Sequence, residues 1–204
     1  IADEIVVLDQ YSDDGTVDIC NEFGARVIQA EFSGFADLRE RLLDEAQYDW
    51  VLVIDADEEV TVKLTEEIQG IVEEDARAAY KVDMRTRLFG EWMAELGGNP
   101  IRFGPKDALS IKDTVVHETI VPSEKYSDEV QELNGVIKHY TYDSVSEYLT
   151  KFNQYTALEA LKLEKDGQDP GILRMTAKGF AISLYYLIVK SGIRAGSVGF
   201  FFAS

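Results

Sequence analysis

Cysteine and histidine are scarce in this chain of 204 residues, with one of the first and two of the second. Cys20 alone makes an internal disulfide impossible, and its place in an amphipathic stretch reads as a packed thiol, compatible with a reducing compartment. One Cys and two His cannot supply four zinc ligands without carboxylates. Basic residues are also few: 20 Lys and Arg stand against 38 Asp and Glu, a formal net charge of -18. No basic stripe offsets that charge, and a nucleic-acid backbone needs Lys/Arg patches, so nucleic acid is excluded as a partner. The apolar run Phe180 to Val189 falls short of the ~20 residues that span a bilayer. Internal repeats, low-complexity segments and a signal peptide are missing. So is an initiator Met, and the chain opens almost directly in a strand, which reads as a fragment of a longer protein.

What is present is enough apolar residue, 46%, for one domain with a small appendage. The chain is organised around Asp49-Trp50-Val51-Leu52-Val53-Ile54-Asp55-Ala56-Asp57-Glu58-Glu59-Val60. Five apolar residues in a row predict a fully buried strand, as in a parallel sheet. The run stops in four acids within five positions. Crevices in open α/β sheets lie at the carboxyl ends of strands, and oxygen ligands there suit Mg²⁺ or Mn²⁺. Asp55 and Asp57 are two apart, so extended backbone points them the same way. A solvated loop that merely ends a strand is the plain alternative.

Around that stretch, residues 4–9 read as a strand ending in Asp9, 17–23 as a helix stopped by Gly24, and 25–28 as a second strand. Residues 36–47 form a predicted helix with Leu38, Leu42, Leu43 and Ala46 inward, and 62–74 another with Leu64, Ile68, Ile71 and Val72 inward. Strand-helix alternation predicts an α/β fold with a largely parallel sheet. From Ala79 the pattern changes. Tyr80, Val82, Met84, Thr86 and Leu88 alternate with polar neighbours, a half-exposed strand. Short strands are expected at 100–103, 114–121 and 135–142, with a mobile polar loop at 123–132. Ser144-Val145-Ser146-Glu147 is a capping box opening a helix to about Lys165. The segment 180–189 reads equally as a core helix or as one lying on a membrane surface, guided by Lys178, Lys190 and Arg194.

Several ordered motifs carry a family resemblance. Residues 3–9 followed by Ser12-Asp13-Asp14-Gly15-Thr16 resemble the second-strand motif of family 2 glycosyltransferases. Phe32-Ser33-Gly34-Phe35-Ala36-Asp37-Leu38-Arg39 is similar to their phosphate-side helix, and residues 50–58 to their D-x-D strand. Val116-His117-Glu118, Gly135 with His139-Tyr140-Thr141-Tyr142, and Gly192 to Gly199 narrow the likeness to bacterial lipopolysaccharide-core β-glycosyltransferases. The usual first strand is absent, Glu40 stands where an Asn is usual, and Ala195 where an acid is usual.

The resemblance implies a GT-A fold: a mixed, mostly parallel sheet flanked by helices over residues 1–142, with a helical extension at 143–204. It implies a metal-dependent, inverting transfer of a sugar from a nucleotide-sugar donor, such as a UDP-sugar, to a hydroxyl of a lipopolysaccharide-core or other lipid-linked glycan. The expected setting is the cytoplasm, at the inner face of the cytoplasmic membrane, with peripheral contact through the C-terminal segment. The expected cofactor is Mn²⁺ or Mg²⁺ held by Asp57, with His139 completing the shell; a His packed beside Tyr140 is the alternative. Asp9 would accept a hydrogen bond from the nucleotide base, Asp55 would bind the ribose or reach the metal through water, and Arg39 would meet the diphosphate. Glu118 is the candidate general base, with Glu58 and Glu59 as rivals and His117 facing the other way. Arg102 reads either as a phosphate or acceptor contact or as a surface strand arginine. A polyprenyl-phosphate glycosyltransferase shares the same front half, and a non-catalytic module that has lost its nucleotide pocket is the alternative outside enzymes.

Overall fold

A computed structural model describes residues 2–93, 97–112, 119–165, 167 and 171. They divide into two compact units. The first holds the residues up to Ala56 with Val60–Asp83 and Asn99–Ile137; the second holds Asp57–Glu59, Met84–Gly98 and the chain from Lys138.

In the first unit, β1 (Val6–Asp9) pairs in parallel with β2 (Arg26–Gln29), Val6 opposite Arg26 and Asp9 opposite Gln29. Parallel neighbours need a crossover, and α1 (Thr16–Glu22) supplies it. Asp14 Oδ1 accepts the Thr16 N–H at 2.9 Å, which starts the helix in place of a side chain at Gly15. Gly24, at φ 73°, ends the turn after it. Two longer helices follow in order, α2 (Phe35–Glu45) burying Leu38 and Leu43, and α3 (Val62–Glu73) burying Leu64 and Ile68. Val72, expected inward, sits at the edge of the α3 apolar stripe and is exposed.

The central acidic stretch departs from expectation. β3 covers only Trp50–Leu52, is half-buried, and pairs antiparallel with β7 (Ile101–Pro105). The ladder stops before Val53, and Ile54 is exposed, so the five-residue run is not one buried strand. β7 is the fully buried strand instead, lying between β3 and the start of β5 (Ala79–Leu88). Phe103 stacks on Trp50 at 5.2 Å and packs on Tyr80 at 5.5 Å. The core gathers Leu43, Ala79, Ile101, Ala108, Leu109, Ile120 and Tyr126.

The sheet is mixed, as expected, with a larger antiparallel share than strand-helix alternation suggests. That alternation ends at residue 75, and the strands after it are joined by connections too short to cross over. Thus β5 pairs antiparallel with β7, and β8 (Leu109–Lys112) with β9 (Thr119–Pro122). The segment 123–132 is not a loose loop. Ser123 Oγ donates to the Asp107 carbonyl at 2.7 Å, and Tyr126 is buried on a 3-10 turn at Glu124–Tyr126. β10 (Val130–Tyr142) then begins. Gly135, on β10, lets the strand touch α3: a Cβ there would lie 2.3 Å from the Leu64 Cα.

In the second unit, the end of β5 pairs antiparallel with β6 (Glu91–Met93), Leu88 opposite Glu91. Phe89 and Gly90 link them with φ 50° and 88°, the two positive values of a type I′ hairpin turn. The far end of β10 meets β4 (Glu58–Val60), where the Tyr140 N–H donates to the Asp57 carbonyl at 2.8 Å. Ser144 Oγ accepts the Glu147 N–H at 3.1 Å at the start of α4 (Val145–Lys165), while Glu147 reaches back to the Asp143 N–H, one residue earlier than a strict capping box. No helix among the described residues is long and apolar enough to cross a membrane. The expectations at 172–204 lie outside the described residues.

Candidate functional site

Asp9 ends β1 and is buried at 4% exposure. A buried carboxylate needs donors. Ser12 gives its backbone N–H to Oδ1 at 3.3 Å and Oδ2 at 3.2 Å, and Gln29 Nε2 donates to Oδ2 at 3.1 Å. The hydrogen bonds from Ser12, and then Gln29, hold this carboxyl below its ordinary range. Gln29 has no motif of its own in the sequence; it is found only through the register that sets it opposite Asp9.

Asp55 follows β3 and is gripped from two sides in the same unit. Arg39 Nη2, from α2, meets Oδ1 at 2.7 Å, and Arg102 Nη2, from β7, meets Oδ2 at 3.2 Å. Arg102 is not a surface strand arginine: it is 8% exposed. The sequence hides this because Arg102 lies in a strand with both faces covered, where inward and outward positions do not alternate.

Asp57 is not carried on a shared pleat with Asp55, since residues 53–57 lie between β3 and β4. Its own partner is His139, on β10, whose Nε2 stands 3.4 Å from Oδ2. The hydrogen bond from His139 holds the Asp57 carboxyl below its ordinary 3.8 against the opposing effect of burial. The Asp57 carboxylate's share of this stabilisation is therefore present above pH 3.8 and is lost as pH falls through the lowered value. With His139→Gln, the Asp57 carboxyl is expected to titrate nearer 3.8, measured by carboxyl NMR; an unmoved titration would remove His139 as the cause.

Asp57 and His139, the two residues expected to hold a divalent cation, thus face each other, with the Nε2–H spent on the carboxylate; that nitrogen would have to shed its proton to act as a ligand. Among the described residues no group of three or more His, Cys, Asp or Glu side chains converges. Of the two, the carboxylate is the donor that suits Mg²⁺ or Mn²⁺, ions that take further positions from substrate phosphates and water, and the imidazole is the softer donor.

Of the candidate bases, Glu118 lies outside the described residues, as does His117. Glu59 is engaged. Lys138 Nζ donates to Oε1 at 2.8 Å and the Tyr140 hydroxyl to Oε2 at 2.7 Å, in that order lowering its pKa. A carboxylate held low is a poorer proton acceptor, which counts against Glu59 as a rival.

A family model described as Glycosyl transferase family 2 matches residues 2–121. Similarity over most of the chain extends to proteins named as uncharacterized glycosyltransferases. One from Rickettsia bellii is 28% identical, covering 94% of this chain and 71% of its own length. One from Rickettsia felis is 29% identical over 94% of this chain and 74% of its own length. One from Rickettsia prowazekii is 28% identical over the whole of this chain and 75% of its own length.

Proposed function

We propose, because this chain belongs to glycosyl transferase family 2, that it moves a sugar with inversion from a UDP-sugar to a hydroxyl of a lipopolysaccharide-core or other lipid-linked glycan. Family membership carries the coarser part: the protein is a glycosyltransferase of GT-A fold, with a nucleotide-sugar donor and an acceptor substrate. The metal-assisted part of the reading rests on one observation, the facing of Asp57 and His139, and the donor, the inversion and the acceptor rest on the motif resemblance alone.

In this reading Asp9 accepts a hydrogen bond from the nucleotide base, and Arg39 donates to the diphosphate oxygens as a charge-assisted partner. Asp55 orients the ribose. Glu118 takes the proton from the acceptor hydroxyl as its oxygen bonds to the anomeric carbon and the bond to the diphosphate breaks. Asp57 and His139 hold Mn²⁺ or Mg²⁺, which when bound supplies positive charge to the departing diphosphate. The lipid-linked acceptor would present its sugar at the inner face of the cytoplasmic membrane.

The test is calorimetric titration of UDP, GDP and ADP with and without Mn²⁺. UDP binding that requires Mn²⁺ is the expected result. No binding of any of the three by the chain, and none by a chain lengthened with an N-terminal strand, would overturn the reading.

A further inference from the structure

The segment that follows β3 carries Asp55 but has no ladder of its own, because strand pairing ends at Leu52. Two bonds from one residue tether it. The Val53 N–H donates to the Arg102 carbonyl at 2.8 Å. The Arg102 side chain, on the same strand, reaches Asp55 Oδ2 at 3.2 Å. Arg102 itself is fixed, since β7 is flanked by β3 and β5 and all five of its residues are buried.

Arg39 meets the other oxygen of the same carboxylate, Oδ1, at 2.7 Å. One carboxylate held at both oxygens by guanidinium groups from different elements has its plane fixed, as charge-assisted bonds of this kind are strong and directional. Loss of either arginine removes one of the two guanidinium contacts that set that plane. The Arg102 guanidinium is buried, with 10% of its side chain exposed, against 18% for Arg39. Of the two, Arg39 is the better placed to meet a ligand and Arg102 the better placed to support.

We propose that Arg102 is a positioning residue for the donor nucleotide: it acts through the Asp55 carboxylate, which it orients together with Arg39, rather than by touching the donor. The inference rests on the nucleotide-sugar reading above and adds to it the group that makes Asp55 and Arg39 a preformed pair. Preformed geometry lowers the ordering cost of binding, so the expected signature is a loss of nucleotide affinity that depends on Asp55 being charged.

The test is a double-mutant cycle read by calorimetric titration of UDP in saturating Mn²⁺. Arg102→Met leaves the Val53 main-chain bond in place and removes the side-chain tether. It is expected to weaken UDP binding roughly 10-fold in the otherwise native chain, the low end for loss of a supporting partner. In an Asp55→Asn background the same change is expected to cost less than about 2-fold, because coupled residues are non-additive. Arg102→Lys keeps the charge but not the planar fork and is expected to fall between. The Mn²⁺ concentration that gives half-maximal UDP binding is expected to stay unchanged, which a general loosening of the fold would not allow. Thermal melts check that each variant is folded; if Arg102→Met does not fold, Arg102→Lys and Arg102→Gln complete the same cycle. Equal losses in both backgrounds would mean that Arg102 meets the donor directly, and no loss would mean that it does not support the site. Either outcome overturns this inference alone and leaves the glycosyltransferase reading standing. Failure of the native chain to bind UDP overturns both.

Discussion

Asp57→Ala is expected to abolish Mn²⁺-dependent UDP binding and to lower sugar transfer by roughly 10²–10³-fold, the scale for removing one group that stabilises charge in the transition state. The reason lies in the pairing with His139 at 3.4 Å. Without the carboxylate, His139 is left as the one nitrogen donor of the proposed pair, and hard cations prefer oxygen. His139→Gln keeps the carboxylate and is expected to cost less, roughly 10–100-fold in metal affinity. The measurement is UDP titration across Mn²⁺ concentrations for both variants, followed by donor turnover. Equal, unaltered Mn²⁺ dependence in both would remove this pair from the metal site.

The second large effect concerns stability. Gly135→Ala is expected to destabilise the protein by at least the 1–3 kcal/mol typical of overpacking, and Tm should fall by roughly 2–4 °C per kcal/mol. The added Cβ would stand 2.3 Å from the Leu64 Cα and 2.6 Å from its nitrogen. Those are backbone atoms of α3, so no side-chain rotation relieves the clash. Leu64 is fully buried, and Glu67, one turn on, accepts the N–H groups of Asn134 and Gly135 at 2.9 and 2.8 Å. Strand and helix are therefore locked at the point where space is missing. Gly70→Ala is the control. It lies in the same helix with nothing within 4 Å of the added methyl, and should leave stability unchanged or raise it by about 0.5–1 kcal/mol. Thermal denaturation of the two variants would separate them, and equal Tm values would show that β10 can move away from α3.

How much of this is legible in the residues depends on what fixes each element. The alternation from Tyr80 to Leu88 reads correctly as a strand because only one of its faces is polar. The helices α2 and α3 read correctly from their apolar stripes, to within two residues at their ends. The run Trp50 to Ile54 misleads because its apolarity carries no information on pairing. The antiparallel partner that ends the ladder at Leu52 lies about fifty residues further on, in β7. The candidate site residues divide in the same way. Asp9, Arg39, Asp55 and Asp57 stand in recognisable motifs, whereas Gln29 and Arg102 have none. Register, not type, brings Gln29 to Asp9 and Arg102 to Asp55. The buried Tyr126 within 123–132 is missed for a related reason: one aromatic among polar neighbours anchors a turn that average polarity describes as a loop.

The contacts around β4 also set a clock on synthesis. Glu59 meets Tyr140 across 81 residues of chain and Lys138 across 79, and Asp57 finds His139 in the same ladder. At about 5–20 residues per second of translation, the acids at 57–59 wait about 4–16 s for these partners. Ribosome-bound chains ending before residue 138 would carry those carboxylates in full yet lack the imidazole, ammonium and phenol that meet them. The Asp57–His139 pair is thus a late product of translation, although its first residue is made early.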